Sequence, residues 1–234
     1  IFELKQGRHP FNKSCDFNST NLFLQLKEQM KLLILASHDQ QKEISIHIPE
    51  NQPDVAFAEN LPEKIDQYDA CFFLNRLPVP ALVSQSTNQI FFINEVIRTL
   101  NETGYSGSVI RMNGWPGFLE RKTWEVAGDV NDKATEAIHQ LGREFVRVKD
   151  VPGLVSARVI VSIINEAYKA LDEKVSTPED MDMALKLGTN YPFGPFEWSR
   201  NIGKDKVYQL LRRMAESDSR YMPLFTPEKT TNIT

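Results

Sequence analysis

The sequence predicts an α/β protein in two parts: an abbreviated, doubly wound, largely parallel sheet, followed by an all-α segment. Three observations carry this. Short continuous apolar runs recur through the first half, separated by asparagine, proline and glutamate. Most of them do not alternate with polar residues, which suits strands buried on both faces of a parallel sheet. After Pro152-Gly153 the apolar residues switch to spacings of three and four, the period of a helix.

Taken in order, the apolar residues of Leu22–Met30 suggest a short helix. Strands are expected at Leu32–Ala36, Ile44–Ile48, Val55–Ala58, Ala70–Leu74, Gln89–Ile93 and Ser108–Met112. Only the seven residues Ser37 to Glu43 separate the first two, whereas a parallel crossover through a helix takes about a dozen or more. That spacing leaves no room for the first helix of a dinucleotide-binding fold. Pro78 and Pro80 allow at most a short helix before Gln89. Asn131 caps a helix that Gly142 ends, and Phe145–Val148 reads as the last strand. The expected organisation is an extension over 1–29, the sheet domain over 30–150, a helical domain over 151–225 and a polar tail over 226–234.

In the helical part, Ala157, Ile160, Val161, Ile164, Ala167, Tyr168 and Leu171 place one apolar face on a helix from Leu154 to Glu173. Val155, Val159 and Ile163 widen it, and a helix apolar nearly all round is buried on several sides. The second face meets either another subunit or the rest of its own domain. Thr177 caps the next helix, with Pro178 first and Glu179 and Asp180 at its positive end. Gly188 reads as that helix's left-handed stop. Tyr191–Phe196 reads as a proline-stiffened turn, and a last helix near Asp205–Ala215 buries Val207, Leu210, Leu211 and Met214.

A formal net charge of −4 with mixed signs and no basic stripe argues against nucleic acid as a partner. The longest apolar runs, near Lys31–Ala36 and Ala70–Leu74, are far too short to span a bilayer. No leader of the charged-then-apolar kind is visible, so a cytoplasmic location is expected, with no membrane partner. Cys15 and Cys71 are far apart, and Cys71 reads as a reduced, buried thiol. No metal site is expected.

The stretch from Val148 to Trp198 contains Lys149-Asp150-Val151-Pro152-Gly153, then Thr177-Pro178-Glu179-Asp180, Lys186-Leu187-Gly188, and Tyr191-Pro192-Phe193-Gly194-Pro195-Phe196-Glu197. This resembles the C-terminal domain of the 3-hydroxyacyl-CoA dehydrogenases, which oxidise a fatty-acyl thioester with NAD. The resemblance implies a Rossmann-like domain followed by an all-α domain of the 6-phosphogluconate-dehydrogenase type. It also implies a homodimer through the helical domain, NAD as cofactor, an acyl-CoA-like ligand and a place in fatty acid metabolism.

It further implies a catalytic histidine and a glutamate twelve residues later. Asn113 stands in the histidine place and Glu125 at the glutamate spacing. Val96 replaces a serine that contacts the substrate oxygen, and Ala157 replaces an asparagine, while Arg158 is kept. An asparagine amide cannot take up the hydroxyl proton that hydride transfer releases, although it can donate a hydrogen bond. Asn113 therefore reads equally as a substrate-binding amide or a turn residue before Gly114. His139 reads as a surface residue, Arg158 as a salt-bridge partner, and Trp115, Phe118 and Trp124 as core before acyl pocket.

The cofactor side agrees. No glycine lies between Gly7 and Gly104, and the place of the glycine-rich loop reads Ala36-Ser37-His38-Asp39-Gln40-Gln41-Lys42. Side chains there hold a pyrophosphate away from the backbone amides, and Asp39 adds a negative charge. No residue is assigned to hold NAD; Glu50 reads as a solvated turn residue. The expectation is a divergent 3-hydroxyacyl-CoA dehydrogenase family member with impaired or lost activity. The alternatives are a non-catalytic dimeric acyl-CoA-binding or scaffold protein, and an enzyme using Glu125 for a different reaction.

Overall fold

The computed structural model describes residues 29–50, 54–86 and 88–227. The helix expected at Leu22–Met30, except its last two residues, and Cys15 lie outside the described residues. So do all but the first two positions of the 226–234 tail.

Seven described strands form one sheet: β1 Lys31–Leu35, β2 Asp54–Ala58, β3 Ala70–Phe73, β4 Ile90–Asn94, β5 Val109–Met112, β6 Thr123–Gly128 and β7 Glu144–Arg147. Their spatial order is β2-β1-β3-β4-β5-β6-β7. Every neighbouring pair is parallel except β5 with β6. The unbroken apolar runs are explained by two cores. Leu32, Ile34, Phe72 and Phe92 face one layer, while Leu33, Leu35, Cys71, Phe73 and Phe91 face the other. Both faces are covered, so neither needs polar residues. The chain leaves β1 towards β2 on one side and continues from β3 to β4 on the other. The switch point between β1 and β3 is where open α/β sheets bind ligands, at the carboxyl ends of the strands.

One expected strand is a helix. Ile44–Ile48 does not pair; instead α1 runs from His38 to Ser45. Ser37 caps it, its hydroxyl accepting from Gln40 N while the Gln40 side chain accepts from Ser37 N. Ile44 is buried in the sheet core while Ile46 is 58% exposed. The alternation of Ile44, Ile46 and Ile48 mimics a strand, but the capping box fixes the start of a helix ahead of it. The first helix therefore has room, joined to β1 by Ala36-Ser37 alone. The missing helix is in the next crossover: residues 59–69, from β2 across to β3, contain none, and Ile65 covers the sheet there.

Two short helices, α2 Pro80–Gln85 and α3 Leu100–Thr103, follow β3 and β4, and α4 Asp132–Gln140 precedes β7. Asn131 caps α4 by accepting from Ala134 N at 3.0 Å. Gly142 closes it at φ +68, where a Cβ would sit 1.9 Å from the His47 carbonyl oxygen, so only glycine fits.

Helices α5 Ser156–Asp172, α6 Pro178–Thr189, α7 Pro195–Ile202 and α8 Lys204–Ala215 form the second part, with a 3₁₀ turn at Ser219–Tyr221. Gly188 is not the stop of α6: the helix continues to Thr189, and Asn190 takes the left-handed position at φ 56. Asparagine enters that region more readily than most non-glycine residues. The Tyr191–Phe196 turn leads straight into α7, a helix the periodicity did not announce. Asp182 of α6 caps it, accepting from Phe196 N at 2.8 Å and Glu197 N at 3.4 Å. A Cβ on Gly194 would lie 2.3 Å from the Asp182 Cα, which is why glycine stands there. The α5 residues sort into two faces: Ala157, Ile160, Val161 and Ile164 enter the helical core, while Val155 and Val159 are exposed. Among the described residues Arg158 takes no acid partner; it donates to Pro152 O at 2.9 Å and lies over the Tyr221 ring at 5.1 Å. Among the described residues no helix is long and apolar enough to cross a membrane.

Candidate functional site

The four singled-out positions come from the end of β4, the end of β5, the middle of β6 and the start of α5. Glu125 projects from β6 to the first turn of α5. Its Oε2 accepts from Val155 N at 2.6 Å, and Ser156 N donates to Oε1 at 3.0 Å and Oε2 at 3.1 Å. The Ser156 hydroxyl donates to Oε1 as well. The carboxylate thus caps α5 at the positive end of its dipole, a stabilising arrangement.

Asn113, buried just after β5, donates from Nδ2 to Ser156 Oγ at 3.4 Å and accepts at Oδ1 from Trp115 N at 3.1 Å. Asn113 and Glu125 are therefore joined through Ser156, not directly. Ser156 escaped the sequence reading because nothing local marks it; its role depends on β6 arriving beside the helix start. Val96 and Ala157 lie buried in one apolar cluster with Trp115. None of the described histidines, His38, His47 or His139, is a hydrogen-bond partner of Asn113, Ser156 or Glu125; His139 lies 3.5 Å from Glu144. The assembly holds a helix end and an amide in place, and among the described residues it offers no imidazole to take a proton.

A second set of contacts closes the carboxyl edge of the sheet. Gln40, at the start of α1, donates from Nε2 to Leu74 O at 3.0 Å and to Gly114 O at 3.1 Å. Asn94 donates to Leu74 O at 2.9 Å and accepts from Gly114 N at 2.9 Å. Glu43 accepts from Gly117 N at 2.9 Å and Leu119 N at 3.2 Å. The segment 113–119 is thereby clasped to α1 and to the ends of β3 and β4. From its other side Trp115 and Phe118 enter the helical core, with Phe118 and Trp198 ring centroids 5.2 Å apart. The aromatics are core, as expected; Trp115 also lines a cavity of about 250 Å³ that stays open beside the clasp.

Burial pushes the Glu43 carboxyl above its usual value of 4.5, against the amides of Gly117 and Leu119 that pull it down. A raised folded-state value means that the ionised form is the costlier one. This group's contribution is full below pH 4.5 and is lost as the pH rises through the raised value. Glu43→Gln is expected to flatten the stability profile just above pH 4.5. It is also expected to cost about 1 kcal/mol, because one of the two amides loses its acceptor. Urea unfolding of both proteins from pH 4.5 to neutrality measures it.

A Rossmann-like sheet with a switch point, continued by a bundle of helices, defines the class: a Rossmann-like domain followed by an all-α domain. Residues 153–232 match the family model of the 3-hydroxyacyl-CoA dehydrogenase C-terminal domain. Among curated relatives, the probable 3-hydroxybutyryl-CoA dehydrogenase of Bacillus subtilis is 28% identical over 173 residues, 72% of this chain and 59% of that protein. The 3-hydroxyadipyl-CoA dehydrogenase of Escherichia coli is 36% identical over 93 residues, 39% of this chain and 20% of that protein. The solved structure of FadB2 from M. tuberculosis shares the fold, with a TM-score of 0.62 at 15% identity, covering 83% of this chain and 90% of that one. The (S)-3-hydroxybutyryl-CoA dehydrogenase PaaH1 from Ralstonia eutropha gives 0.62 at 18% identity over the same shares. Residues 153–232 belong to the 3-hydroxyacyl-CoA dehydrogenase C-terminal domain family, and the chain is similar to proteins of that family over up to 72% of its length. It spans between about a fifth and three fifths of the length of these curated relatives.

Proposed function

We propose that this chain is a 3-hydroxyacyl-CoA dehydrogenase family member that does not perform the family's NAD-dependent oxidation of 3-hydroxyacyl-CoA to 3-oxoacyl-CoA. The observation that carries the reading is the clasp. In such a fold the pyrophosphate rests on the amides at the start of the first helix, and the dinucleotide crosses the carboxyl ends of the strands. Here Ser37 caps that helix start, and Gln40 spans the crevice to Leu74 and Gly114. These residues do not fit a dinucleotide. The missing base is the second support: Asn113 cannot take the alcohol proton, and loss of a positioned base typically costs about 10²–10⁴-fold in rate.

The experiment is an assay for NADH from 3-hydroxybutyryl-CoA, on the wild type and on Asn113→His. No NADH is expected from either, because restoring an imidazole leaves the clasp in place. Saturable turnover by the wild type would overturn the reading. Turnover by Asn113→His alone would show that the base was the one missing part and that the dinucleotide does enter.

The second reading is a dimeric binding or scaffold protein, kept by resemblance in cytoplasmic fatty acid metabolism and able to hold an acyl-CoA-like molecule. Its support is the outer face of α5, where Val155, Val159 and Ile163 line a groove of about 960 Å³ with Leu211 and Leu224. A second copy through this face is the partner that the family resemblance suggests. Val159→Asp leaves the helical core intact because Val159 is exposed, and it is expected to convert a dimer to monomer in sedimentation. A dimer unchanged by this substitution would remove α5 from the interface.

A further inference from the structure

We propose that the outer edge of β2 takes up an extended segment of a partner protein as an added strand, one whose apolar stretch has a lysine or arginine at each end. The inference concerns the border of the sheet and does not depend on the closed crevice.

The edge is open. β2 pairs with β1 on one side only and stands first in the sheet order. In the usual doubly wound order a further strand lies outside the second one. Here residues 59–69, which contain no helix or strand, carry the chain from β2 to β3 on the far side of β1, and no described strand takes that outer place. Successive residues of a parallel strand turn their N–H and C=O groups to opposite sides. Ala36 N donates to Ala58 O at 3.0 Å, so Ala58, Ala56 and Asp54 face β1. Val55 and Phe57 therefore turn theirs outward, and among the described residues no backbone group meets them. Natural edges are blunted by lysine, proline or a bulge. β2 has none of these: its register with β1 is unbroken, and Val55 to Ala58 are all apolar. Phe57 is 38% exposed on this border.

Charge selects the partner. Asp54 stands at the amino end of β2 and Glu59 just past its carboxyl end, with Glu50 upstream, all exposed. Residues 48–62 hold no lysine or arginine. Among the described residues none of the three acids forms an ion pair, Asp54 with its β1 neighbour Lys31 included. A second copy of this edge would set acid near acid, which opposes that pairing. A segment with a cation at each end sets opposite charges there in either strand direction. Main-chain hydrogen bonds to Val55 and Phe57 supply the attachment, and its side chains cover the exposed part of Phe57.

The test titrates two capped peptides into the full chain, each an alternation of valine and threonine, one ended by lysines and the other by glutamates. Calorimetric heat and amide exchange are followed. The lysine-ended peptide is expected to bind saturably and about tenfold or more tighter than the other. It is expected to slow exchange at Val55 and Phe57 while Ala56, already facing β1, is unchanged. Phe57→Pro removes one outward N–H and spares the β1-facing groups, as edge strands permit, and is expected to weaken the peptide about tenfold or more. Asp54→Lys combined with Glu59→Lys is expected to reverse the preference between the peptides, and it keeps the test decisive if the proline variant does not fold. No saturable binding, equal binding of the two peptides, or an unreversed preference in the double variant overturns the proposal. Slow exchange at Val55 and Phe57 in the protein alone overturns it as well. If that protection survives dilution, another part of the chain covers the edge; if dilution removes it, a second copy does.

Discussion

Arg143→Met is expected to destabilise the protein by about 3–5 kcal/mol in urea unfolding. Arg143 is almost wholly buried and, among the described residues, has no carboxylate partner. Its charge is met by carbonyl oxygens instead. Nη1 donates to Leu141 O at 3.2 Å, and Nη2 donates to Glu43 O at 3.2 Å, Ile44 O at 2.9 Å and Leu119 O at 2.9 Å. Two of these carbonyls close the last turn of α1, where a cation is favoured by the helix dipole. The guanidinium also lies over the Trp124 ring at 5.2 Å. Burial pushes its pKa down to about 10, so it stays charged at neutral pH. Methionine fills much of the volume and supplies no donor, so the Leu141, Glu43 and Ile44 carbonyls lose it at about 1 kcal/mol or more each, while Leu119 O keeps only the Trp124 indole N–H at 3.2 Å. Because Leu119 O also loses the guanidinium, the clasp loosens along with α1. A loss under about 1 kcal/mol would show that Arg143 does not hold the two together.

Arg111→Met is expected to cost a similar amount, about 3–5 kcal/mol, at a different joint. Arg111 is fully buried on β5. Nε donates to Glu95 O at 2.8 Å, and Nη2 to Val96 O at 3.3 Å and Val151 O at 3.4 Å. Nη1 pairs with Asp150, whose other oxygen accepts from Leu100 N at 2.9 Å. One side chain thus ties the end of β4, the start of α3 and the segment leading into the helices. Asp150 is partly exposed, so solvent screens the ionic share, and the stranded carbonyls dominate the loss. Asp150→Asn keeps Arg111 and most of its donors in place, and is expected to cost only about 1 kcal/mol. Equal losses from the two variants would put the weight on the ion pair instead.

The central strands were legible because burial on both faces leaves an unbroken apolar run, as in Ala70–Phe73 and Ile90–Ile93. Caps were legible where a side chain acts on its own helix, as at Asn131 and Thr177. The misread strand at Ile44–Ile48 shows two local signals in conflict. Strand-like alternation competed with the Ser37…Gln40 capping box, and the box decided the outcome. A comparable signal, Gly194-Pro195 followed by Glu197, marked the start of α7. Asn113 and Glu125 were placed by their family spacing, which says nothing of Ser156 between them. The clasp was out of reach for a physical reason. Gln40 meets Gly114 across 74 positions and Glu43 meets Leu119 across 76, and in both cases the partner is a backbone atom. Backbone atoms carry no residue signature, so only the fold can reveal them.

Amide hydrogen exchange at Gly114, Gly117 and Leu119, with and without millimolar NAD, tests the closed crevice most directly. Those amides donate to Asn94 and Glu43, so slow exchange is predicted, near that of the β3 and β4 amides and indifferent to the dinucleotide. Fast exchange that becomes slow when NAD is added would mean that the segment opens to admit the cofactor, contrary to the account.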